Sequence, residues 1–319
     1  MADKAGKRVT VSVEGRELSL SNLDKVLYPE AGFTKGEVID YYTRVAPALL
    51  PHLADRPLTV KRYPNGVDAP FFYEKNAARG TPAWVRTVSL PAPGSTKDRD
   101  RIDYVVVEEL ATLVWLANLA AIELHVPQWR IGGGRTPRTD AVTGAVADVV
   151  VFDLDPGQPA GLPECRTVAL LLRQILSGDG LLPVAKTSGS KGIQVSAAVD
   201  ADGPEATSEY AHAVATALEQ QRPELVVSRM TKALRPGKVL VDWSQNNPAK
   251  TTVAPYSLRA RSTPSVSTPV SWAEVSGPGP LTFTATDVIR RVAADGDLFA
   301  GVLAEAHRAR LPQPGATRR

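Results

Sequence analysis

The stretch "ADVVVFDLDPG", Ala147–Gly157, decides how the chain is read. Val149 to Phe152 and Leu154 put apolar side chains on both sides of a strand, which marks it as central in a sheet covered on both faces. Asp153 and Asp155 then interrupt it. Residues two apart in a strand share a face, so the two carboxylates stand roughly 6–7 Å apart by the strand rise. Pro156–Gly157 ends the strand there and leaves both acids at its rim. Like charges that close are unfavourable without a positive partner. A hard divalent cation would serve, since it takes carboxylate oxygens and keeps positions open for phosphate; two solvated acids at a strand end are the plain alternative.

Two further stretches favour the cation. "KTSGSKG" (Lys186–Gly192) is a Gly/Ser-rich turn with two lysines between apolar strands. Its backbone N–H groups, hydroxyls and a lysine could form a nest for phosphate, although it also reads as a tight hairpin with exposed lysines. The Walker spacing is absent. "LRPGKVLVDWSQN" (Leu234–Asn246) carries a third carboxylate, Asp242, after Arg235 and Lys238. Three aspartates on two strands beside such a turn resemble a two-metal phosphoryl-transfer centre. Asp153 and Asp155 would bridge both ions, and Asp242 would complete the site of the ion that activates the attacking hydroxyl.

The rest of the chain sets bounds. Its 319 residues, 43% hydrophobic and 22% charged, suit one large globular domain or two smaller ones. With 37 basic against 34 acidic residues the net charge is only +3, so a nucleic-acid partner needs a local basic patch. A single cysteine, Cys165, allows no internal disulfide and suits a reducing compartment. Four scattered histidines make a structural zinc site an unpromising reading. "MADKAGKRVTV" lacks the apolar segment of a signal peptide. "ATLVWLANLAAI" is shorter than the ~20 residues of a membrane span. A cytoplasmic protein is expected.

The patterning alternates. "VTVSV" and "RELSL" suggest a hairpin. "TKGEVIDYYTRVAPALLPHL" reads as a helix with a Thr34–Glu37 capping box and a Val38, Tyr41, Tyr42, Val45 stripe. "LTVKRYP" and "KVLVDW" read as strands, "EELATLVWLANLAAIEL" as one buried helix, and "CRTVALLLRQIL" and "SEYAHAVATALEQ" as helices. "LPVAKTSGSKGIQVSAAV" reads as strand, turn, strand. Pro91–Arg101 is expected as a loop or hairpin tip, Ile131–Gly144 as a flexible crossing, and Arg261–Trp272 as an extended connection before the last helix. Interleaved helices and strands favour mixed α/β layers around one sheet. No internal repeat is found.

Together, "LDKVLYP", "KRYPNGVDAPFFYEK", "ELHVPQWR", "VFDLDPG", "TSGSKG", "MTKALRPGKVLVDWSQN" and "KTTVAPYSLR" resemble, in order, the polymerase domain of the bacterial ligase D of non-homologous end joining. That domain belongs to the archaeo-eukaryotic primase superfamily. The resemblance runs from about Leu20 to Leu298. It implies an α/β fold of mixed α+β character, with a central, mostly antiparallel sheet flanked by helices. The expected organisation is one domain over 1–305, with a DNA- and 5′-phosphate-binding part at about 1–130, a catalytic sheet at 148–260, and a disordered tail over 306–319. The K-x-D-G ligase motif is missing, so a stand-alone polymerase is expected.

The resemblance also implies roles. Asp153, Asp155 and Asp242 would be the ligands of two Mn²⁺ or Mg²⁺ ions. Ser188, Lys191 and Arg235 would hold the incoming triphosphate, with Gln245 and Arg259 lining the same pocket. His125 would lie by the ribose; without the resemblance it reads as a hydrogen-bonded core histidine. Phe72 and Tyr73, the latter where the family usually has phenylalanine, would stack on template and incoming bases; Phe71 reads as core. Lys25 and Lys35 would bind the 5′-phosphate of a downstream strand. Independently, Thr34 as N-cap puts Lys35 in a first helical turn, where free N–H groups and the dipole favour an anion. One departure stands out: Gln194 replaces the histidine that ends the family's S-G-x-x-G-x-H. Glutamine donates without charge, and charge-assisted hydrogen bonds are about twice as strong, so weaker nucleotide affinity or slower turnover is expected.

The activity implied is template-directed addition of nucleotides, preferably ribonucleotides, to 3′ ends of primed, gapped or broken DNA. The partners implied are DNA ends with a 5′-phosphate, NTPs or dNTPs, and also the Ku end-binding protein and a separate ligase, in the cytoplasm at the nucleoid. A rival is a catalytically weakened DNA-end-binding module that kept Lys25 and Lys35. A D-x-D phosphatase with Asp153 as nucleophile fits less well, because "DPGQ" lacks the glycine-threonine that usually follows the second aspartate.

Overall fold

The computed structural model describes residues 8–92, 100–131 and 145–312. The hairpin of β1 (Arg8–Val13) and β2 (Arg16–Ser21) leads to a short antiparallel pair, β3 (Val26–Tyr28) and β4 (Phe33–Thr34). Helix α1 (Lys35–Leu53) starts where expected. The Thr34 hydroxyl accepts from the Glu37 N–H at 3.2 Å, and the Glu37 carboxylate accepts from the Thr34 N–H at 2.7 Å. This closed capping box satisfies two of the groups a helix start leaves unpaired, and the stripe Val38, Tyr41, Tyr42, Val45 is buried. Strands β5 (Thr59–Arg62) and β6 (Phe72–Glu74) pair antiparallel. So do β7 (Thr87–Pro91) and β8 (Arg101–Val105), the hairpin expected around Pro91–Arg101, whose tip at 93–99 lies outside the described residues.

The single buried helix expected over Glu108–Leu124 does not form. Helix α2 (Leu110–Asn118) stops, Ala120 turns the chain at φ 57°, and β9 (Ala121–Val126) follows. The run is apolar on every side, and such a run does not distinguish a buried helix from a buried strand. What decides is the ladder that β9 forms with β5.

The expected crossing at Ile131–Gly144 falls, from 132 to 144, outside the described residues. After it come β10 (Val149–Pro156), α3 (Leu162–Gly178), β11 (Val184–Thr187), β12 (Ile193–Asp200) and α4 (Ala206–Gln221). Then follow β13 (Val226–Val227), β14 (Val239–Asp242), β15 (Thr252–Val253), β16 (Pro269–Val270), α5 (Trp272–Ser276), α6 (Ala285–Asp295) and β17 (Ala309–Arg310). The main sheet runs β13-β14-β10-β12-β11-β16, with β17 added on β12. Only its two-residue strands β13 and β17 pair in parallel; the rest of the sheet is antiparallel.

Strand β10 is central, as its sequence predicts. Val150, Phe152 and Leu154 on one face are fully buried with Val168 and Leu172 of α3 and Val214 and Leu218 of α4. The opposite face, Val149, Val151, Asp153 and Asp155, therefore looks away from those helices. A smaller sheet, β15-β9-β5-β6, packs one face on α1 and α2 through Val60, Ile122, Leu124, Tyr42 and Leu113. Its other face carries Lys61, Glu123 and His125. The site lies between these two polar faces. Asp148, just before β10, ties the halves together: Arg56 bonds both its oxygens at 2.8 Å and Arg130 bonds it at 2.9 Å.

Two expectations about the end of the chain need correction. Residues 306–312 are not a disordered tail: after a short turn at Glu305–His307, β17 pairs with the edge of β12 (Val199↔Ala309, Asp200↔Arg310) and Leu311 packs on the core. A two-residue strand in a Pro- and Arg-rich segment is too short to show a period. Residues 313–319 lie outside the described part. The Arg261–Trp272 connection is extended, but Ser265, Val266, Ser267 and Thr268 are buried beneath the Ser188–Gly192 turn, and two helices follow it rather than one. Among the described residues no helix is long and apolar enough to cross a membrane.

Candidate active site

Register brings the three aspartates together. Asp153 lies opposite Asp242 of β14 on one edge of its strand and opposite Gln194 of β12 on the other, and Gln194 lies opposite Lys186 of β11. Opposed residues in a ladder share a face, so one row, Asp242–Asp153–Gln194–Lys186, crosses four strands with Asp155 two residues along. Asp242 is 8% exposed. Its Oδ1 accepts from the Ser244 N–H at 3.0 Å and its Oδ2 from Gln245 Nε2 at 2.8 Å. Asn246 anchors the strand: its side-chain amide accepts from the Val151 N–H at 2.9 Å and donates to the Val151 carbonyl at 2.7 Å. It thus takes the place of a ladder neighbour upstream of Asp153.

The carboxylates are under electrostatic stress. Burial, then the charge of Asp155, push Asp153 well above the usual carboxylate range. Burial and Asp242 push Asp155 up as well, opposed by Arg235 and Arg259. Asp153 Oδ1 is buried without a hydrogen-bond partner. A cation would relieve both conditions, and oxygen donors of this kind suit Mn²⁺ or Mg²⁺. Asp242 also accepts from Ser244 Oγ at 2.6 Å, so of the about four bonds a carboxylate accepts, roughly one position is left for an ion. Among the described residues, however, no group of three His, Cys, Asp or Glu side chains is already spaced around an ion position.

Asp153 and Asp155 open on a cleft of about 360 Å³ that His125, Ser188, Lys191, Gln194, Arg235, Gln245 and Arg259 also line, whereas Asp242 lies behind Gln245 and does not line it. The predicted nucleotide-binding residues of both sheets are thus gathered in one cavity, Phe72 and Tyr73 excepted. The turn holds itself in shape: Ser188 Oγ accepts from the N–H groups of Ser190 at 3.3 Å and Gly192 at 3.1 Å. Gly189 has φ +67°, and a Cβ there would press on Arg259 and on the Val266–Ser267 backbone. A Cβ at Gly192 would collide with the Leu154 carbonyl oxygen. The turn therefore lies directly against β10, with Lys191 exposed at its lip.

Sequence reasoning missed Glu123. It is 2% exposed and accepts from the Ala260 N–H at 3.1 Å. It also pairs with His125 at 3.0 Å, Lys61 at 3.4 Å and Arg259 at 3.4 Å. Burial alone would raise its pKa, but the His125 hydrogen bond and the charges of Arg259 and Lys61 outweigh that and hold it at about 2. Arg259 also donates to the Ser188 carbonyl at 2.6 Å, so Glu123 fixes the Ser188–Gly192 turn through it. His125 lines the cleft and is hydrogen-bonded to Glu123. Burial lowers its pKa and favours the neutral ring.

The aromatic platform differs from expectation. Phe72 and Tyr73 are consecutive in β6, so their rings leave opposite sides of the strand. Tyr73 lies 6.3 Å from the His125 ring, whereas Phe72 covers Arg62. Phe71, expected as core, is 48% exposed and stacks on Tyr63 at 5.1 Å.

Lys25 and Lys35 converge at a second place. A shallow pocket of about 510 Å³ is lined by Asn22, Leu23, Asp24 and Lys25. Lys25 donates to Asn65 Oδ1 at 2.9 Å; Lys35, 5% exposed, donates to the Asn118 carbonyl at 3.0 Å. The expectation of free helix N–H groups is corrected. The Lys35 N–H bonds the Lys25 carbonyl, the Gly36 N–H bonds the Leu23 carbonyl, and the Glu37 N–H bonds Thr34. Any anion here would meet ammonium groups rather than a bare helix end. Burial, then the Lys25 charge, bring Lys35 down to about 8.

The chain is 42% identical over 296 residues to the multifunctional non-homologous end joining DNA repair protein LigD of Mycobacterium tuberculosis, covering 92% of this chain and 38% of that protein. It is 31% identical to the bifunctional LigD of Bacillus subtilis, covering 89% of this chain and 44% of that protein. The chain thus spans less than half the length of these relatives. Among solved structures it is similar to the polymerase domain of Mycobacterium tuberculosis ligase D in complex with DNA: TM-score 0.83, 41% identity, 90% of this chain and 98% of that one. Residues 34–299 match the family described as LigD, primase-polymerase domain, and with a relative of this identity over nearly its whole length the chain belongs to that family.

Proposed function

We propose that the chain is a template-directed nucleotidyltransferase that fills gaps and extends 3′ ends of broken DNA, with a preference for ribonucleotides. The observation that carries this is a cleft lined by Asp153, Asp155 and basic residues, with Asp242 directly opposite Asp153 on the neighbouring strand. Family membership and a DNA-bound relative support it.

In this reading Asp153, Asp155 and Asp242 hold two divalent ions, Mn²⁺ or Mg²⁺, which would supply Lewis-acid stabilisation of the phosphoryl oxygens and lower the pKa of the attacking 3′-hydroxyl. The Ser188 turn, Lys191 and Arg235 bind the triphosphate, and Arg259, held by Glu123, keeps the turn in place. His125 faces the ribose. Tyr73 offers a ring for a base, worth ~1–3 kcal/mol per stacked base regardless of sequence. Lys25 and Lys35 recognise the 5′-phosphate across a gap. The Ku end-binding protein and a ligase activity that seals the filled gap are the partners this role would call on, at the nucleoid in the cytoplasm.

Extension of a primer across a short gap, with and without the downstream 5′-phosphate, tests the reading. Wild type should extend with Mn²⁺ and ribonucleotides, better with the phosphate, and Asp155→Ala should not. Tight 5′-phosphate binding without extension would identify an end-binding module instead.

A further inference from the structure

Lys186 belongs to the same cross-strand row as the aspartates, yet the proposed chemistry gives it no task. It is 3% exposed. Its ammonium donates to Gln194 Oε1, to the Val253 carbonyl at 3.0 Å and to Ser267 Oγ at 2.7 Å. An ammonium has three donors and no acceptor, so its hydrogen-bonding capacity is filled, and by neutral groups alone. A buried cation needs an opposing charge nearby. In the row that charge is Asp153, on the far side of Gln194 and its direct partner across β10 and β12.

The two ends of a glutamine amide have nearly the same shape, and its partners decide which end points where. Here Gln194 Oε1 meets the Lys186 nitrogen on one side, and Asp153 lies opposite Gln194 on the other. We propose that Lys186 is a positioning residue: it fixes the Gln194 amide with its oxygen inward and its NH₂ toward Asp153 and the triphosphate cleft, so that residue 194 relays the lysine's positive charge into the carboxylate row. This rests on the nucleotide-binding reading above. It also changes the meaning of the glutamine at a position where the family has histidine. The charge comes from Lys186, and what residue 194 must offer is an acceptor on one side and a donor on the other. A neutral imidazole offers that pair, glutamate offers only acceptors, and leucine offers neither.

The test is calorimetric binding of Mn²⁺–ribonucleoside triphosphate to the full chain, with circular dichroism and a thermal melt for every variant. Lys186→Met and Gln194→Leu should each weaken binding about tenfold, the order of one lost hydrogen bond to a charged group, and the double variant no more than the larger single loss. Gln194→His should weaken binding less than Gln194→Leu, and Gln194→Glu more. A lysine that only joined the sheets through Val253 would lower the melting temperature and give losses that add. Additive losses, or wild-type affinity in Lys186→Met, overturn the proposal. Should Lys186→Met not fold, equal affinity of Gln194→His and Gln194→Glu overturns it. Absence of nucleotide binding in the wild type overturns the functional reading, and the proposal with it.

Discussion

Asp153 and Asp242 are direct antiparallel partners across β10 and β14, although 89 residues separate them in the chain (242 − 153). A slip of one residue in that ladder would turn Asp242 to the opposite face of the sheet. The Asn246 amide clamp on Val151 and the pairing of Asp155 with Leu240 hold the register from both sides. Accurate pairing of these two strands is therefore what puts Asp242 on the face that carries Asp153.

The converging acids should reduce stability in the absence of metal. Burial and Asp242 raise Asp155, so its ionised form is disfavoured in the folded state. Asp155→Asn should melt at a higher temperature than wild type in EDTA, by about 1–2 °C given its exposure. Mn²⁺ should raise the wild-type melting temperature and leave the variant nearly unmoved. Equal Mn²⁺ stabilisation of both would remove Asp155 from the ion site.

Recognition of a 5′-phosphate should fade in mild alkali. The free protein's Lys35 titrates at about 8, and only its charged form attracts phosphate, so affinity is full below that pH and falls as pH rises through it. Between pH 7.5 and 9.5, binding of 5′-phosphorylated gapped DNA should weaken by about tenfold while 5′-hydroxyl DNA changes little. Because the Lys25 charge lowers Lys35, Lys25→Gln should move the loss to higher pH. Fluorescence anisotropy across the range measures both.

Glu123 should matter for stability and for nucleotide alike. Glu123→Gln leaves Lys61 and Arg259 without their buried counter-charge, a change that typically destabilises by about 3–5 kcal/mol. Urea unfolding measures that loss. Nucleotide affinity should fall with it, because Arg259 no longer fixes the Ser188 turn. A midpoint unchanged within error would show that the cluster carries no net stability.

Asn246→Ala should strip Val151 of both backbone bonds. Two buried groups left unpaired disfavour folding by about 2–4 kcal/mol in total, readable as a lower urea midpoint. Asn246→Asp keeps the acceptor for the Val151 N–H and should recover part of the loss.

How much could be read in advance depended on whether the signal was local. The capping box at Thr34 and Glu37 lies within one helical turn, and the two-sided apolarity of β10 lies within one strand; both were legible. The gathering of Asp153, Asp155 and Asp242 was legible only because a family pattern carried it, since no local rule states which strands become neighbours. Glu123 was missed because it is a single polar residue in an apolar run, and Lys186 was read in the turn rather than buried in β11, since the partners of both come from other strands. The break between α2 and β9 was invisible for a different reason: a run buried on all sides has no amphipathic period to read. The expectation at Lys25 and Lys35 came from the family pattern, with the helix start as support, but the bonds that fill the helix N–H groups come from Leu23 and Lys25, which helix rules do not foresee.

The count of Mn²⁺ ions bound per chain in the presence of a non-hydrolysable ribonucleoside triphosphate, followed by electron paramagnetic resonance of the free ion, tests the carboxylate cluster most directly. Two ions per chain are predicted for the wild type, with occupancy falling in Asp153→Asn and in Asp242→Asn alike. An unchanged count in Asp242→Asn would contradict the account, because the cross-strand partner of Asp153 would then have no part in holding the metal.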